Sequence, residues 1–229
     1  MPQINLNENN IRLFECEMTL HDYMWFSSYD ASSMSSTEAV IHNFALSYAV
    51  SRYDRGIVSN RGPTYERDLE QMDFYASPAK SIDYKKITLT YNALDTKTLR
   101  TDEYNSKKNT PKLGQKTMVT PMSKFEFYLY SWGEEPTGLI RIGKKRALAR
   151  ISWKEIEEPL AFYQEDSFEV NHLVSPLDVT GEFERYNMIR IPPFLLLKDV
   201  KMKEDWIIKD GSNIIHLPRR ILAEVGDET

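Results

Sequence analysis

The chain has 229 residues, of which 41% are hydrophobic and 28% charged, a composition that is typical of a globular domain and excludes a disordered one. Its formal net charge of −5 argues against nonspecific nucleic-acid binding by the molecule as a whole. The single cysteine, Cys16, excludes a disulfide framework and a cysteine-rich zinc site. No apolar run is long enough for a transmembrane helix, and we expect a cytoplasmic protein.

The predicted elements begin with a strand over residues 11–20, whose even-numbered positions from Phe14 to Leu20 are apolar. A serine-rich loop is predicted at 27–36. Ser36 or Thr37 is then predicted to cap a helix of about three to four turns, because apolar residues recur at spacings of three and four up to residue 49. Residues 61–69 predict a turn followed by at most a short helix.

Strand patterns dominate the remainder of the chain. The predicted strands are 86–91, 124–131, 139–143, 147–153, 187–191, 194–202 and 213–216. Residues 217–225 predict a short terminal helix. The interval between the first two of these strands is too long for a bare connection, which favours a protruding hairpin or a mobile functional loop. We therefore expect one α+β domain over 1–229, with a ferredoxin-like or RNA-recognition-type core and added β-strands.

Charge is unevenly distributed along the chain. Residues 97–116 hold six basic and two acidic residues, and residues 141–154 hold six basic and no acidic residues. Residues 155–184 hold nine acidic residues and no lysine or arginine. This segregation predicts a polyanion on one face and a basic protein neighbour on another. Ordinary solvated surface is the alternative interpretation.

The four histidines are too far apart in sequence for a metal-binding motif, and we predict no metal and no cofactor. His42 lies on the predicted helix and could act as a general base toward an RNA 2′-hydroxyl, assisted by Tyr48 and a lysine. The favoured alternative is a hydrogen-bonded histidine on the helix shoulder with a structural role. Cys16 is expected to be inert core.

The turn after residue 142 is the most informative basic feature. Gly143 permits a tight turn or a close backbone approach to a ligand, and three cations crowd beside it. The long lysine-rich interval adds further cations and Tyr104, which could stack on a base. The predicted RNA-binding residues are Lys97, Arg100, Tyr104, Lys107, Lys108, Lys112, Lys116, Arg141, Gly143, Lys144, Lys145, Arg146 and Arg150.

Four stretches of the chain, in order, resemble one family. They are AVIHNFALSYAV, PTYERDL, YASPAK and KLGQKTMVTPMSKFEFYLYS. The chain resembles the subunit that caps the crRNA 5′ handle in the type I-D CRISPR surveillance complex, Cascade, within the RAMP superfamily. The resemblance covers residues 14–150.

This resemblance implies a modified RNA-recognition fold with a long β-hairpin thumb at 94–120 and extra C-terminal strands. It implies a role in antiviral defence, with crRNA, the Cascade backbone subunit, the large subunit and target DNA near the PAM as partners. It also implies a non-catalytic protein, since a different subunit cuts the precursor in type I-D. The acidic stretch would then face a basic neighbour.

Two alternatives remain at the level of sequence. One is a metal-independent endoribonuclease that processes pre-crRNA, as the equivalent subunit of a related subtype does, with His42 as the base. The other is a structural protein of some other assembly that does not bind RNA.

Overall fold

The computed structural model describes residues 2–31, 34–52, 64–93 and 112–225. In chain order the strands are β1 (Gln3–Asn5), β2 (Arg12–Leu20), β3 (Tyr29–Ala31), β4 (Met34–Ser36), β5 (Val40–Ile41), β6 (Phe74–Ala76), β7 (Ala79–Asp83), β8 (Lys86–Ala93), β9 (Lys112–Val119), β10 (Lys124–Ser131), β11 (Leu139–Ile142), β12 (Ala147–Ile156), β13 (Leu160–Gln164), β14 (Phe168–Val170), β15 (Glu182–Ile189), β16 (Leu196–Asp210) and β17 (Asn213–His216). The helices are α1 (Asn43–Val50), α2 (Tyr65–Leu69) and α3 (Arg219–Val225), with 3-10 turns at Asn7–Asn9 and Pro176–Asp178.

The central sheet has seven strands in the order β11-β12-β2-β10-β7-β5, and β6 pairs with the far end of β10. Strand β2 lies in its middle, between β10 and β12. The predicted alternation of this strand is confirmed, because Phe14, Cys16, Met18 and Leu20 are all buried. Leu46 and Val50 of α1 belong to the same core, so the helix covers this apolar face.

Helix α1 is shorter than the sequence predicts. It begins after His42, whose side chain caps it, and it has only eight residues. The predicted cap Thr37 instead bonds the backbone of Phe26, and Val40 and Ile41 pair with β7. The prediction was wrong because apolar spacing cannot distinguish a helical turn from a short buried strand when the residues are β-branched.

A second sheet is organised around the 15-residue strand β16. Its order is β1-β13-β16-β14, and β15 and β17 also pair with β16. Ile208 of β16 and Ile215 of β17 share a core with Leu13 and Tyr130 of the central sheet. The C-terminal strands and α3 therefore cover part of the face opposite α1, in agreement with the prediction of added C-terminal strands and a terminal helix.

A small sheet in the order β3-β4-β9-β8 stands beside the central one. The serine-rich loop predicted at 27–36 was wrong in this respect, because β3 and β4 fall within it and β4 pairs in parallel with β9. Strands β8 and β9 are antiparallel over their whole length. Residues 94–111, most of the predicted thumb, lie outside the described residues. No helix within the described ranges is long and apolar enough to cross a membrane.

Candidate nucleic-acid interface

The turn between β11 and β12 approaches a neighbouring segment of the chain closely. Gly143 has φ of +78°, and a Cβ there would lie 2.9 Å from the backbone oxygen of Trp25. The next residue, Lys144, donates its backbone N–H to that same oxygen at 2.9 Å. Glycine is required here because the positive φ and the close approach both disfavour a side chain. The sequence allowed a tight turn or a close backbone approach to a ligand, and in the structure the turn approaches the backbone of Trp25.

Two lysines, one from each predicted basic segment, lie over the Trp25 ring, and Lys145 is a further electrostatic neighbour of one of them, Lys116. The Lys116 Nζ lies 3.5 Å from the ring centroid, and the Lys144 Nζ lies 5.2 Å from it. Burial lowers the pKa of Lys116, and the nearby charges of Lys145 and Lys144 lower it further. We call Trp25, Lys116, Lys144 and Lys145 the lysine cluster. The electrostatic repulsion among these three lysines is relieved when an anion binds.

Trp25 is oriented by polar neighbours from the serine-rich segment. Its Nε1 donates to the Ser35 Oγ at 3.1 Å, and the Lys144 Nζ donates to the Ser27 Oγ. Sequence analysis did not identify Trp25 as a site residue. The sequence feature that could have identified it is a tryptophan next to a serine-rich segment. Its position beside Lys116, however, depends on a parallel pairing of β4 and β9 that the sequence does not predict.

The arginines of the same hairpin form a separate group. Arg141 and Arg146 line a groove with Arg52, which follows the end of α1. The Arg141 Nη1 donates to the backbone oxygen of Arg146 at 3.2 Å, which fixes the two residues together. Arg150 lies apart, in a shallow groove with Leu139. The turn thus divides its cations between two surfaces.

Other predicted site residues have no described side chain. Lys97, Arg100, Tyr104, Lys107 and Lys108 lie outside the described residues, and Lys112 is described only as the first residue of β9. Their predicted contact with RNA stays a prediction.

His42 has the environment of a structural residue. Its Nδ1 accepts the backbone N–H of Phe44 at 3.4 Å, and its side chain is buried. Burial lowers the pKa of His42 to about 4, which is far below the value that suits a general base at neutral pH. This arrangement favours the structural interpretation over the catalytic one. Within the described part of the chain, no three His, Cys, Asp or Glu side chains are placed to hold a metal ion.

The acidic segment is partly paired within the chain. Four of its nine carboxylates make ion pairs at 2.6 to 3.1 Å with basic residues of other strands. The pairs are Glu155–Arg12, Glu169–Arg185, Glu182–Lys203 and Glu184–Lys201. A fifth carboxylate, Asp178, is buried and accepts the Tyr75 hydroxyl at 2.6 Å. These contacts weaken the expectation that the segment presents its full charge to a basic neighbour.

Comparison with known proteins places the chain in a family. A family model described as type I-D CRISPR-associated protein Cas5/Csc1 matches residues 11–223. No curated protein matches the chain significantly. A CRISPR protein from Archaeoglobus fulgidus is 11% identical, with a TM-score of 0.46 over 90% of this chain and 99% of its own. A chain of the type III-B Cmr-beta complex bound to cognate target RNA is 12% identical, with a TM-score of 0.40 over 66% of this chain and 62% of its own.

The family model spans most of the chain, and it agrees with the resemblance that four sequence stretches indicated. On that match, the protein belongs to the family of type I-D CRISPR-associated proteins Cas5/Csc1.

Proposed function

We propose that this protein is a non-catalytic subunit of a type I-D CRISPR Cascade complex that binds the 5′ handle of the crRNA. In this role it anchors the backbone subunit and the large subunit near the PAM end of the target DNA. Family membership supports the placement in a CRISPR system.

The lysine cluster is the observation that carries the RNA-binding proposal. Cations distant in sequence are brought beside one aromatic ring, and the pKa of Lys116 is lowered partly by its two lysine neighbours. Single-stranded RNA offers both complements, since its phosphates bind cations and its bases stack on aromatic rings.

The order of the central strands supports the modified RNA-recognition fold. The four strands β12-β2-β10-β7 are adjacent and antiparallel, and α1 connects the segment of β2 to that of β7. This is the arrangement of a split βαβ unit. We propose that β8 and β9 form the base of the thumb.

The lysine cluster is tested by charge removal. We expect the variant Lys116→Ala/Lys144→Ala/Lys145→Ala to bind a fluorescent repeat-derived RNA at least about tenfold more weakly, because three phosphate contacts are lost. The slope of log K against log salt should fall in magnitude by about 2. Fluorescence anisotropy at several salt concentrations measures both.

A matched control removes the same charge elsewhere. Lys85, Lys198 and Lys209 are exposed and lie outside the lysine cluster, so their triple alanine variant should bind RNA almost as the wild type does. Equal losses in both variants would show that only the overall charge matters. Full retention of RNA by the cluster variant would contradict the proposal.

The thumb is tested separately. We expect Lys107→Ala/Lys108→Ala/Lys112→Ala to loosen the RNA without changing the melting temperature, because these lysines are proposed to contact phosphates and not the core. Unchanged affinity would remove the thumb lysines from the proposed interface.

The catalytic alternative has its own test. We expect repeat RNA incubated with the purified chain in EDTA to remain intact. Cleavage that disappears in His42→Asn would instead establish a metal-independent nuclease, and asparagine keeps the capping role of this position.

The assembly role is tested in the native host. A tagged chain should co-purify with large CRISPR subunits and with RNAs that share one repeat-derived 5′ end. Heterogeneous RNA, or none, would contradict the Cascade assignment.

A further inference from the structure

Three arginines line a groove of about 530 Å³ between α1 and the β11–β12 hairpin, and we call it the arginine groove. Arg52 follows α1, Arg141 and Arg146 belong to the hairpin, and all three are exposed. No acidic residue of the described chain lines this groove. Among the described residues the arginines that form ion pairs are others, namely Arg12, Arg185 and Arg220.

Two of the groove arginines have backbone conformations in which glycine is the usual residue. Arg52 has φ of +50° directly after the C-cap of α1. Arg146 has φ of +55° where its N–H closes the turn onto the Gly143 oxygen at 3.0 Å. The left-handed conformation disfavours any residue with a side chain, and helices commonly end in glycine at this position. An arginine at both places gives up stability to bring two guanidinium groups to one groove, and such strain is typical of functional positions.

The rest of the groove's described lining is mainly apolar, with Ala49 of α1 and Ile140 and Leu148 of the hairpin. Guanidinium groups bind carboxylates through paired hydrogen bonds in a fixed plane. Arginine beside apolar surface is typical of protein interfaces, in which lysine is depleted. Contacts to nucleic-acid phosphates need no apolar lining. The groove therefore favours a carboxylate-bearing protein segment over a nucleic-acid backbone.

We propose that the arginine groove binds an acidic segment of a neighbouring protein subunit. Carboxylates of that segment pair with the three guanidinium groups, and an apolar side chain lies against the apolar lining. The Arg141 guanidinium is already oriented, because its Nη1 donates to the backbone oxygen of Arg146 at 3.2 Å. This inference rests on the proposed function for the identity of the neighbours, which are the other Cascade subunits, and adds to it a docking surface distinct from the lysine cluster.

Photo-crosslinking in the assembled complex tests the groove. Leu139 lines the groove and is 47% exposed, so it is replaced by the photo-reactive residue p-benzoylphenylalanine. The tagged chain is purified with its complex from the native host, irradiated and analysed by mass spectrometry. We expect an adduct to one protein segment that is rich in Asp and Glu. The same replacement at Leu160, exposed on β13, is the control and should not give this adduct.

The other outcomes of this experiment contradict the proposal in different ways. An adduct that disappears after nuclease treatment would assign the groove to nucleic acid and overturn the proposal. An adduct to a segment without acidic residues, or no adduct from an assembled complex, would overturn it as well. Failure of every CRISPR subunit to co-purify would instead contradict the proposed function itself.

Charge removal provides the matched variant. Arg52→Gln/Arg141→Gln/Arg146→Gln keeps long polar side chains but removes the charge. We expect the yield of the adduct at position 139 to fall by at least about tenfold, because the partner's carboxylates lose their cations. The RNA affinity of the purified chain should fall no further than that of the control variant without three exposed lysines. A loss of RNA affinity as large as that of the lysine-cluster variant, with the adduct retained, would overturn the proposal.

Arg146→Gly separates binding from stability. Glycine adopts a φ of +55° without strain, so the melting temperature should rise by about 2–4 °C while the adduct yield falls. A lower melting temperature with an unchanged adduct yield would show that Arg146 only holds the turn, and would contradict its part in docking.

Discussion

The lysine cluster and the acidic strand β15 both come from strongly charged segments, but the fold surrounds them differently. Lys116 has two lysines as electrostatic neighbours, whereas Glu182 and Glu184 each pair with a lysine of β16. The acidic segment is therefore partly neutralised within the chain, and the lysine cluster is left with like charges. The difference teaches that the net charge of a sequence segment does not indicate the charge that the folded segment presents at the surface. Pairing with side chains of neighbouring strands decides how much of that charge is neutralised.

The largest effect on stability is expected in the C-terminal sheet, at Asp205. This carboxylate is fully buried and accepts hydrogen bonds from His216, Thr180 and Gly181. Burial alone would raise the pKa of Asp205, but these hydrogen bonds bring it down to about 2. Asp205→Ala should lower the free energy of unfolding by about 3–5 kcal/mol, because it leaves buried donors unpaired.

Urea denaturation measures that loss, and the RNA affinity of the folded fraction should stay unchanged. A weaker RNA affinity in the folded fraction would contradict the contrast between the two regions, since it would mean that the C-terminal sheet takes a direct part in RNA binding.

The next largest effect is a pH dependence of the free energy of unfolding that arises from Asp178. Burial raises the pKa of Asp178 from 3.8 to about 6, even though Tyr75, His216 and Arg220 act to lower it. A raised carboxyl pKa stabilises the fold fully below about pH 4, and this contribution is lost as the pH rises through 6. Asp178→Asn should therefore gain about 2 kcal/mol relative to the wild type between pH 4 and 7.

Urea unfolding of both chains across this pH range is the measurement. Buried His172, whose pKa is lowered to about 3, titrates in the opposite sense but is common to both chains and cancels in the difference. Parallel curves would show that Asp178 is not held protonated by the fold.

A smaller effect is expected at Gly143. Gly143→Ala places a methyl group 2.9 Å from the Trp25 oxygen at a φ of +78°. This should cost about 1–2 kcal/mol in the free energy of unfolding and should also weaken RNA binding, because the turn carries Lys144 and Lys145. Gly211→Ala, with φ of +57° but no atom within 4 Å, is the matched control for backbone strain without the contact. Equal losses of RNA affinity in both variants would contradict the role of the Trp25 approach.

The smallest effect is expected at the exposed ion pairs. Lys203→Ala removes the partner of Glu182, and the melting temperature should stay within about 2 °C of the wild type because exposed pairs contribute little. RNA affinity should also be unchanged. Lys145→Ala, which relieves repulsion in the lysine cluster, should leave stability equal or slightly higher while RNA affinity falls. Equal losses of RNA affinity in the two variants would remove the distinction between the lysine cluster and β15.

Much of the sheet could be predicted from sequence. Strands β2, β8, β10, β11, β12 and β17 and the terminal helix follow from alternation and turn residues over short windows. The strands that were not predicted, β1, β3 to β7, β13 and β14, are all short. Between β6 and β7, Ser77 exchanges hydrogen bonds with Tyr128, about fifty residues away in the chain. Such pairing leaves no local periodicity.

The candidate site was predicted in part. Lys116, Lys144 and Lys145 were among the expected residues. The position of Lys116 and Lys144 over Trp25 was not expected, because it depends on the parallel pairing of β4 with β9. Arg150 was placed with them by sequence proximity, yet it lies in a different groove. The burial of His42 could not be predicted from sequence either, since its position as a helix cap depends on Val40 and Ile41 forming a strand.

The sequence by itself determined the family, the strand-rich composition and the two basic segments, because these depend on residue identity and local order. Only the tertiary structure decided which charges meet and which cancel. Trp25 lies against Lys116, and the carboxylates of β15 pair with lysines of β16. Both contacts form because segments that are apart in the chain become neighbours in the fold. That proximity arises from sheet pairing and core packing, which short sequence windows do not contain.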